Sequence, residues 1–145
     1  MATDTTFHGS CHCGRLRVDF RTRIEPEHFT PRACDCTFCR KHGAAYLSDP
    51  AGTLSIAAQP GALRRYRQGS ENADFLICAH CGVLIAVAFE HDARIYAAVN
   101  LGCLDAVAGL GSPVPSSPQT LSPEQKMSRW LELWIPDVQV LTSGA

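Results

Sequence analysis

Seven of the eight cysteines fall into three tight groups: Cys11 and Cys13; Cys34, Cys36 and Cys39; and Cys78 and Cys81. Cys103 stands alone. No other feature limits the possible folds so strongly. Thiols two or three residues apart make poor disulfide partners, because the bridge would close a small ring far from the preferred Cα separation. The same spacing lets several sulfurs converge on one ion at metal–sulfur distances of about 2.3 Å. Eight cysteines in 145 residues also lie below the roughly 8–10% of a secreted disulfide scaffold. Reduced thiols that bind metal are the expectation.

The two outer pairs look alike. Gly9-Ser10-Cys11-His12-Cys13-Gly14 and Cys78-Ala79-His80-Cys81-Gly82 are glycine-flanked knuckles in which backbone amides can turn toward sulfur. Each adjoins a strand-like run, so together they predict one tetrahedral, four-cysteine structural zinc site. The other pairing, with Cys78 or Cys81 completing the central cluster, would strand Cys11 and Cys13. The central run Cys34-Asp35-Cys36-Thr37-Phe38-Cys39 supplies three ligands with no fourth beside it. An open fourth position separates a catalytic zinc from a structural one. A site closed by a distant His or Cys, or a thiol cluster without metal, are the alternatives.

Between these groups the chain reads as short strands. Leu16, Val18 and Phe20 alternate with Arg17, Asp19 and Arg21, the period of a strand with one buried face. Residues 44–48, 54–56, 63–66, 75–77, 83–89 and 95–99 are further candidates, separated by turns such as Asp49-Pro50-Ala51-Gly52 and Gln59-Pro60-Gly61. Six or seven short antiparallel strands predict a mainly β fold. Residues 109–118, rich in Gly, Pro and Ser, read as an exposed loop. A helix is predicted over about 123–134, with Ser122 as cap, Pro123 in first position, Gln125 completing a capping box, and Met127, Trp130, Leu131 and Trp134 at helical spacing.

With 46% hydrophobic and 19% charged residues, the chain has the composition of a single globular domain spanning 1–145. The N-terminal residues are mostly polar, and no apolar run approaches the roughly 18 residues of a membrane span, so a cytoplasmic protein is expected. A formal net charge of −1 becomes about −4 once seven thiolates and two zinc ions are counted, which gives nucleic acid nothing to bind.

The three cysteine motifs occur together and in order: Gly-Ser-Cys-His-Cys-Gly, Cys-Asp-Cys-Thr-Phe-Cys-Arg-Lys and Cys-Ala-His-Cys-Gly. In this the chain resembles the glutathione-dependent formaldehyde-activating enzyme family, which includes the centromere protein V group. The resemblance runs over about 9–105, and residues 99–105 resemble the family's late strand and turn. It implies a zinc-binding β-tent with two zinc ions. Cys11, Cys13, Cys78 and Cys81 would hold the structural one, and Cys34, Cys36 and Cys39 the second. It also implies a carbon–sulfur lyase-type reaction that joins glutathione and formaldehyde as S-(hydroxymethyl)glutathione. The chain departs from the family pattern after the late strand, where a Pro/Ser loop and a capped helix replace an expected continuation of sheet.

The chemistry of the triplet follows independently. Three thiolates cancel much of the zinc charge, so activating water is a poorer use for the ion than binding a fourth, substrate thiol. Such a thiolate could attack an aldehyde, and the reverse step breaks a carbon–sulfur bond. Arg40 and Lys41, directly after the triplet, are candidates to favour thiolate and to hold substrate carboxylates. His42 is a candidate base or fourth ligand, whereas His12 and His80 read as exposed and Cys103 as a small buried residue. Trp130 and Trp134 read as core, and Arg64, Arg65 and Arg67 as a solvated strand edge. Two other functions compete: a non-catalytic zinc module that binds a protein partner, and a redox sensor whose triplet oxidises and releases metal.

Overall fold

A computed structural model describes residues 4–67, 72–107, 109–117 and 120–142. The knuckles are hairpin turns. The first joins β1 (Thr5–Ser10) to β2 (Leu16–Thr22), which pair antiparallel from Thr5↔Thr22 to Ser10↔Arg17, so it sits between two strands. The second joins β7 (Asp74–Cys78) to β8 (Leu84–His91). Between them the chain forms β3 (Arg32–Cys34), a short helix α1 (Thr37–His42), β4 (Ala45–Leu47), β5 (Thr53–Ala58) and β6 (Leu63–Tyr66). After β8 come β9 (Arg94–Asn100), β10 (Val114–Ser116), α2 (Pro123–Leu133) and β11 (Asp137–Thr142). Among the described residues no helix is long and apolar enough to cross a membrane.

The strands form a four-stranded sheet ordered β1-β2-β5-β11 and a seven-stranded sheet ordered β10-β3-β4-β9-β8-β7-β6. This is the expected mainly β architecture with a short C-terminal helix. The strand number exceeds the six or seven expected, and two pairings, β10 with β3 and β11 with β5, are parallel rather than antiparallel. The segment expected as an exposed Pro/Ser loop therefore contributes a strand, while its last residue, Pro118, lies outside the described residues. Proline is tolerated there because β10 is an edge strand and Pro115 need not donate to a further neighbour.

The apolar alternation of β2 explains how the sheets stack. Leu16, Val18 and Phe20 point inward with Leu54 and Ile56 of β5, and meet Leu76, Ile85, Ala97 and Val99 from the larger sheet. Phe7, Phe20 and Phe29 pack ring against ring at about 6 Å within this core. The opposite face of the larger sheet is covered in turn. Tyr46, Phe75, Val87, Phe89 and Ala98 lie beneath Phe38 of α1 and Met127, Trp130, Leu131 and Trp134 of α2 or its end. With both faces covered, β8 is buried along its first six residues, which is why it reads as a continuous apolar run.

The C-terminal helix begins as its sequence predicts. Ser122 accepts from the Gln125 amide, the Gln125 side chain accepts from the Ser122 amide, and Pro123 occupies the first turn. Trp134 ends the helix; its ring stacks on Trp130 at 4.7 Å and meets Phe89 edge-on at 5.6 Å. Ile135 then exchanges backbone hydrogen bonds of 2.8 and 3.0 Å with Ala97 of β9 before the chain joins the smaller sheet.

Candidate metal centre

Each sheet contributes one knuckle to the first cysteine cluster. The sulfurs of Cys11, Cys13, Cys78 and Cys81 all lie within 4.8 Å of one another, although the two pairs are far apart in sequence. Cys13 Sγ is 3.6 Å from both Cys11 Sγ and Cys78 Sγ. Four metal–sulfur bonds of about 2.3 Å in a tetrahedron set sulfur–sulfur edges near 3.8 Å, so the donor set fits one four-coordinate ion. Backbone amides supply the supporting contacts. Leu16 N–H donates to Cys11 Sγ at 3.3 Å, and His80 and Cys81 N–H donate to Cys78 Sγ at 3.4 Å. Both loops turn through a glycine, Gly14 and Gly82, each with φ of +83°, a left-handed conformation that other residues adopt only with strain.

The second cluster is built on the larger sheet's helix-covered face. Cys34 ends β3, Cys36 caps α1, and Cys39 lies one turn into that helix, bringing the three sulfurs within 4.8 Å of one another. Cys36 Sγ accepts from Cys39 N–H at 3.4 Å, so one thiol both caps the helix and faces the cluster. Asp35 anchors the intervening turn: its amide donates to Ser116 O at 2.9 Å, and its carboxylate accepts from Ser117 Oγ at 2.6 Å. Among the described residues no fourth His, Cys, Asp or Glu joins the group.

The thiols of this cluster differ in their hold on a proton. The hydrogen bond from the Cys39 side chain, helped by the Cys36 amide and opposed by desolvation, brings Cys34 down to about 6. The same contact, together with burial, pushes Cys39 well above the usual thiol range. In the outer cluster the Arg15 amide lowers Cys13 to about 6, while burial raises Cys11 to about 11. Each cluster thus pairs a sulfur poised to ionise with one that keeps its proton. Metal binding would require the deprotonated form of all of them.

Two residues near the triplet carry no signal that sequence reading used. The Tyr46 hydroxyl lies 3.2 Å from Cys39 Sγ, and burial followed by the neighbouring Cys39 raises its pKa well above the phenol range, so it remains a hydrogen-bond donor. Tyr46 sat inside an apolar strand run and looked like ordinary core. Arg32 lies directly opposite Tyr46 across the β3–β4 pair, and its Nη2 donates to Ser48 Oγ at 2.7 Å. A period-two reading back from Cys34 would have found it.

The other candidates lie apart. Arg40, Lys41 and His42 are exposed on the last turn of α1, with the His42 ring 4.5 Å from that of Phe38 and outside the cysteine group. His12 and His80 are exposed. Cys103 is buried and belongs to neither sulfur group, its thiol directed at Asn100 O at 3.2 Å. Arg65 and Arg67 pair with Asp74 at 3.6 and 2.7 Å along the edge of the sheet. A surface depression of about 550 Å³ lies beside the outer cluster, between Phe38, Arg64, Tyr66, Ile77 and the second knuckle.

Comparison with known proteins fits this arrangement. The family described as glutathione-dependent formaldehyde-activating enzyme matches residues 6–128. A crystal structure of a Rhodobacter sphaeroides protein superimposes with a TM-score of 0.54 at 26% sequence identity, covering 74% of this chain and 99% of that one. Among curated proteins, no sequence matches the chain at a significant level.

Proposed function

The chain belongs to the glutathione-dependent formaldehyde-activating enzyme family, and from that premise we propose that it is a zinc-dependent carbon–sulfur lyase-type enzyme interconverting glutathione, formaldehyde and S-(hydroxymethyl)glutathione. The observation that carries this reading is the three-sulfur group of Cys34, Cys36 and Cys39, with no fourth ligand among the described residues. Of two zinc ions per chain, the outer one would hold the two sheets together, and the inner one would keep an incoming thiol ionised at neutral pH.

The protein's own groups do the remaining work. Tyr46 donates toward Cys39 and restrains the charge and position of that sulfur. Asp35, tied to Ser116 and Ser117, fixes the turn that aims Cys34 and Cys36. Arg40 and Lys41, exposed on the last turn of α1 directly after Cys39 in sequence, suit the γ-glutamyl carboxylate of the substrate. In the synthetic direction the glutathione sulfur forms a bond to the formaldehyde carbon, and the carbonyl π pair moves to oxygen, which takes up a proton. The reverse direction breaks that carbon–sulfur bond and returns the electron pair to sulfur.

Two comparisons test the reading. Glutathione should bind much more tightly than its S-methyl derivative, which keeps both carboxylates but cannot offer a thiolate. Exchange spectroscopy should show formaldehyde and its glutathione adduct interconverting above the spontaneous rate, with the excess lost in Cys36→Ser. That variant is informative because serine is itself a strong helix N-cap, so a sulfur is removed while α1 stays capped. Tight sulfur binding without any rate excess would reject the enzyme and leave a thiol-binding module.

A further inference from the structure

One edge of the larger sheet stays open. β6 is its last strand, and among the described residues no strand lies beyond it. Ala79 N–H donates to Ala62 O at 2.7 Å, one pair before the register that begins at Leu63↔Cys78. Hydrogen-bonded pairs alternate along an antiparallel ladder, so Arg64 and Tyr66 bond to β7, while Leu63 and Arg65 turn their N–H and C=O groups to the open edge. These groups stand at the spacing another strand needs.

The same strand borders a depression. Arg64 and Tyr66 leave β6 on the face covered by α1, where their cross-strand partners Ile77 and Phe75 also lie. Tyr66 is 46% exposed, and its ring stacks at 5.1 Å on Phe38, which packs in turn on Phe75 at 4.4 Å. Phe38, Tyr66, Ile77 and the second knuckle bound an open volume of about 550 Å³, which the exposed Arg64 and His80 also line.

The charge of this edge decides what fits it. Asp74 pairs with Arg65 and Arg67, and among the described residues Arg64 forms no ion pair. A second copy of this chain would bring arginines against arginines, whereas an acidic strand would set opposite charges side by side. We propose that the free edge of β6 takes an extended acidic segment of a partner protein as an added strand, with a carboxylate on Arg64 and an aromatic side chain against Tyr66 in the depression. Alternate side chains of a strand leave the same face about 7 Å apart, so one segment supplies both contacts. Main-chain hydrogen bonds to Leu63 and Arg65 give affinity, and the depression gives specificity. The partner also touches α1 through Phe38, the residue before Cys39. This surface is independent of the thiol chemistry and is present whether or not the triplet binds glutathione.

Fluorescence anisotropy on the metal-loaded protein tests the proposal with a labelled peptide, Thr-Glu-Thr-Phe-Thr-Glu, whose acidic and aromatic side chains share one face. The wild type should bind it about tenfold more tightly than the same peptide with Lys for Glu. Arg64→Glu should reverse that preference, and Tyr66→Ser should weaken binding of the acidic peptide about tenfold; both residues are exposed, so the core is spared. N-methylation separates strand addition from simple charge attraction. In either direction of pairing only one alternate set of peptide amides faces β6, so blocking that set should abolish binding and blocking the other should leave it. Equal affinity for the acidic and basic peptides, an unchanged preference in Arg64→Glu, or equal tolerance of both methylated sets would overturn the proposal. Failure of the wild type to bind the acidic peptide would overturn it too and leave the arginines as guards against edge pairing.

Discussion

The Tyr46 hydroxyl lies 3.2 Å from the Cys39 sulfur, joining the middle of the larger sheet to the helix-borne end of the cysteine triplet. A donor aimed at a metal-binding sulfur steadies its orientation and drains some of its charge, and losing such a partner typically costs about 10–100-fold in metal affinity. Tyr46→Phe keeps the buried ring and removes only the hydroxyl. The variant should fold normally and lose metal from the triplet at least several-fold more readily in a chelator competition. Unchanged retention would make Tyr46 a packing residue.

The two clusters should release metal in separate stages. A mild chelator should remove about one zinc per chain while far-ultraviolet circular dichroism shows the sheets intact, because three protein ligands hold an ion less firmly than four. Cys78→Ser should instead unfold the chain. Cys78 is buried, accepts two backbone N–H groups and belongs to the cluster that joins the sheets. Elemental analysis finding no more than one zinc in fully loaded protein would contradict the two-site arrangement.

Once the triplet's metal has been removed, Cys34 should become its most reactive thiol. Its folded pKa is lowered to about 6, so it should be largely thiolate at pH 7, and its alkylation rate should level off above about pH 6–7 instead of climbing toward pH 9. Cys39, shifted the opposite way, should resist modification throughout that range. Mass mapping after brief treatment with iodoacetamide at several pH values checks both. Faster labelling of Cys39 would reverse the assignment.

The hairpin between β8 and β9 turns on Asp92 and Ala93, with φ of 50° and 63°. Two positive φ values mark the tight turn that normally selects Asn-Gly or Asp-Gly. An alanine in this conformation carries a steric penalty of about 1–2 kcal/mol, partly offset by the greater freedom glycine gives the unfolded chain. Ala93→Gly should therefore stabilise the protein by about 0.5–1 kcal/mol and raise its melting temperature by roughly 2–4 °C. A lower melting temperature would show that the Ala93 methyl makes a favourable contact.

Where the sequence was legible, one residue type dominated the local physics. Chelating spacing brought out both cysteine clusters, strict alternation marked β2, and the Ser122–Gln125 capping box located α2. The elements that escaped notice depend on partners distant in the chain. β3 and β10 have three residues each and no period long enough to recognise; β3 is a strand because β4 and β10 flank it, and β10 because β3 lies beside it. α1 has six residues and is held by a cysteine cap and by Phe38 packing on Phe75. Tyr46 and Arg32 acquire their significance only from a cross-strand register that no local pattern specifies. β11 is the exception, since Val138 and Val140 alternate with polar neighbours in a way that a stricter reading would have marked as a strand.

The two parallel pairings also set an order on assembly. Both knuckles, and with them the complete outer cluster, have been synthesised by residue 82, so the frame that joins the sheets can form before the last strands are made. The strand bearing Cys34 gains its outer neighbour only when residues 114–116 arrive, and β5 gains its own only with residues 137–142. Until then each sheet has a bare edge, the kind of surface on which another chain can pair. Such late, long-range contacts are also slow to form. The final third of the chain, which holds none of the clustered cysteines, is thus what keeps a nascent molecule from finding its missing strand in a neighbour.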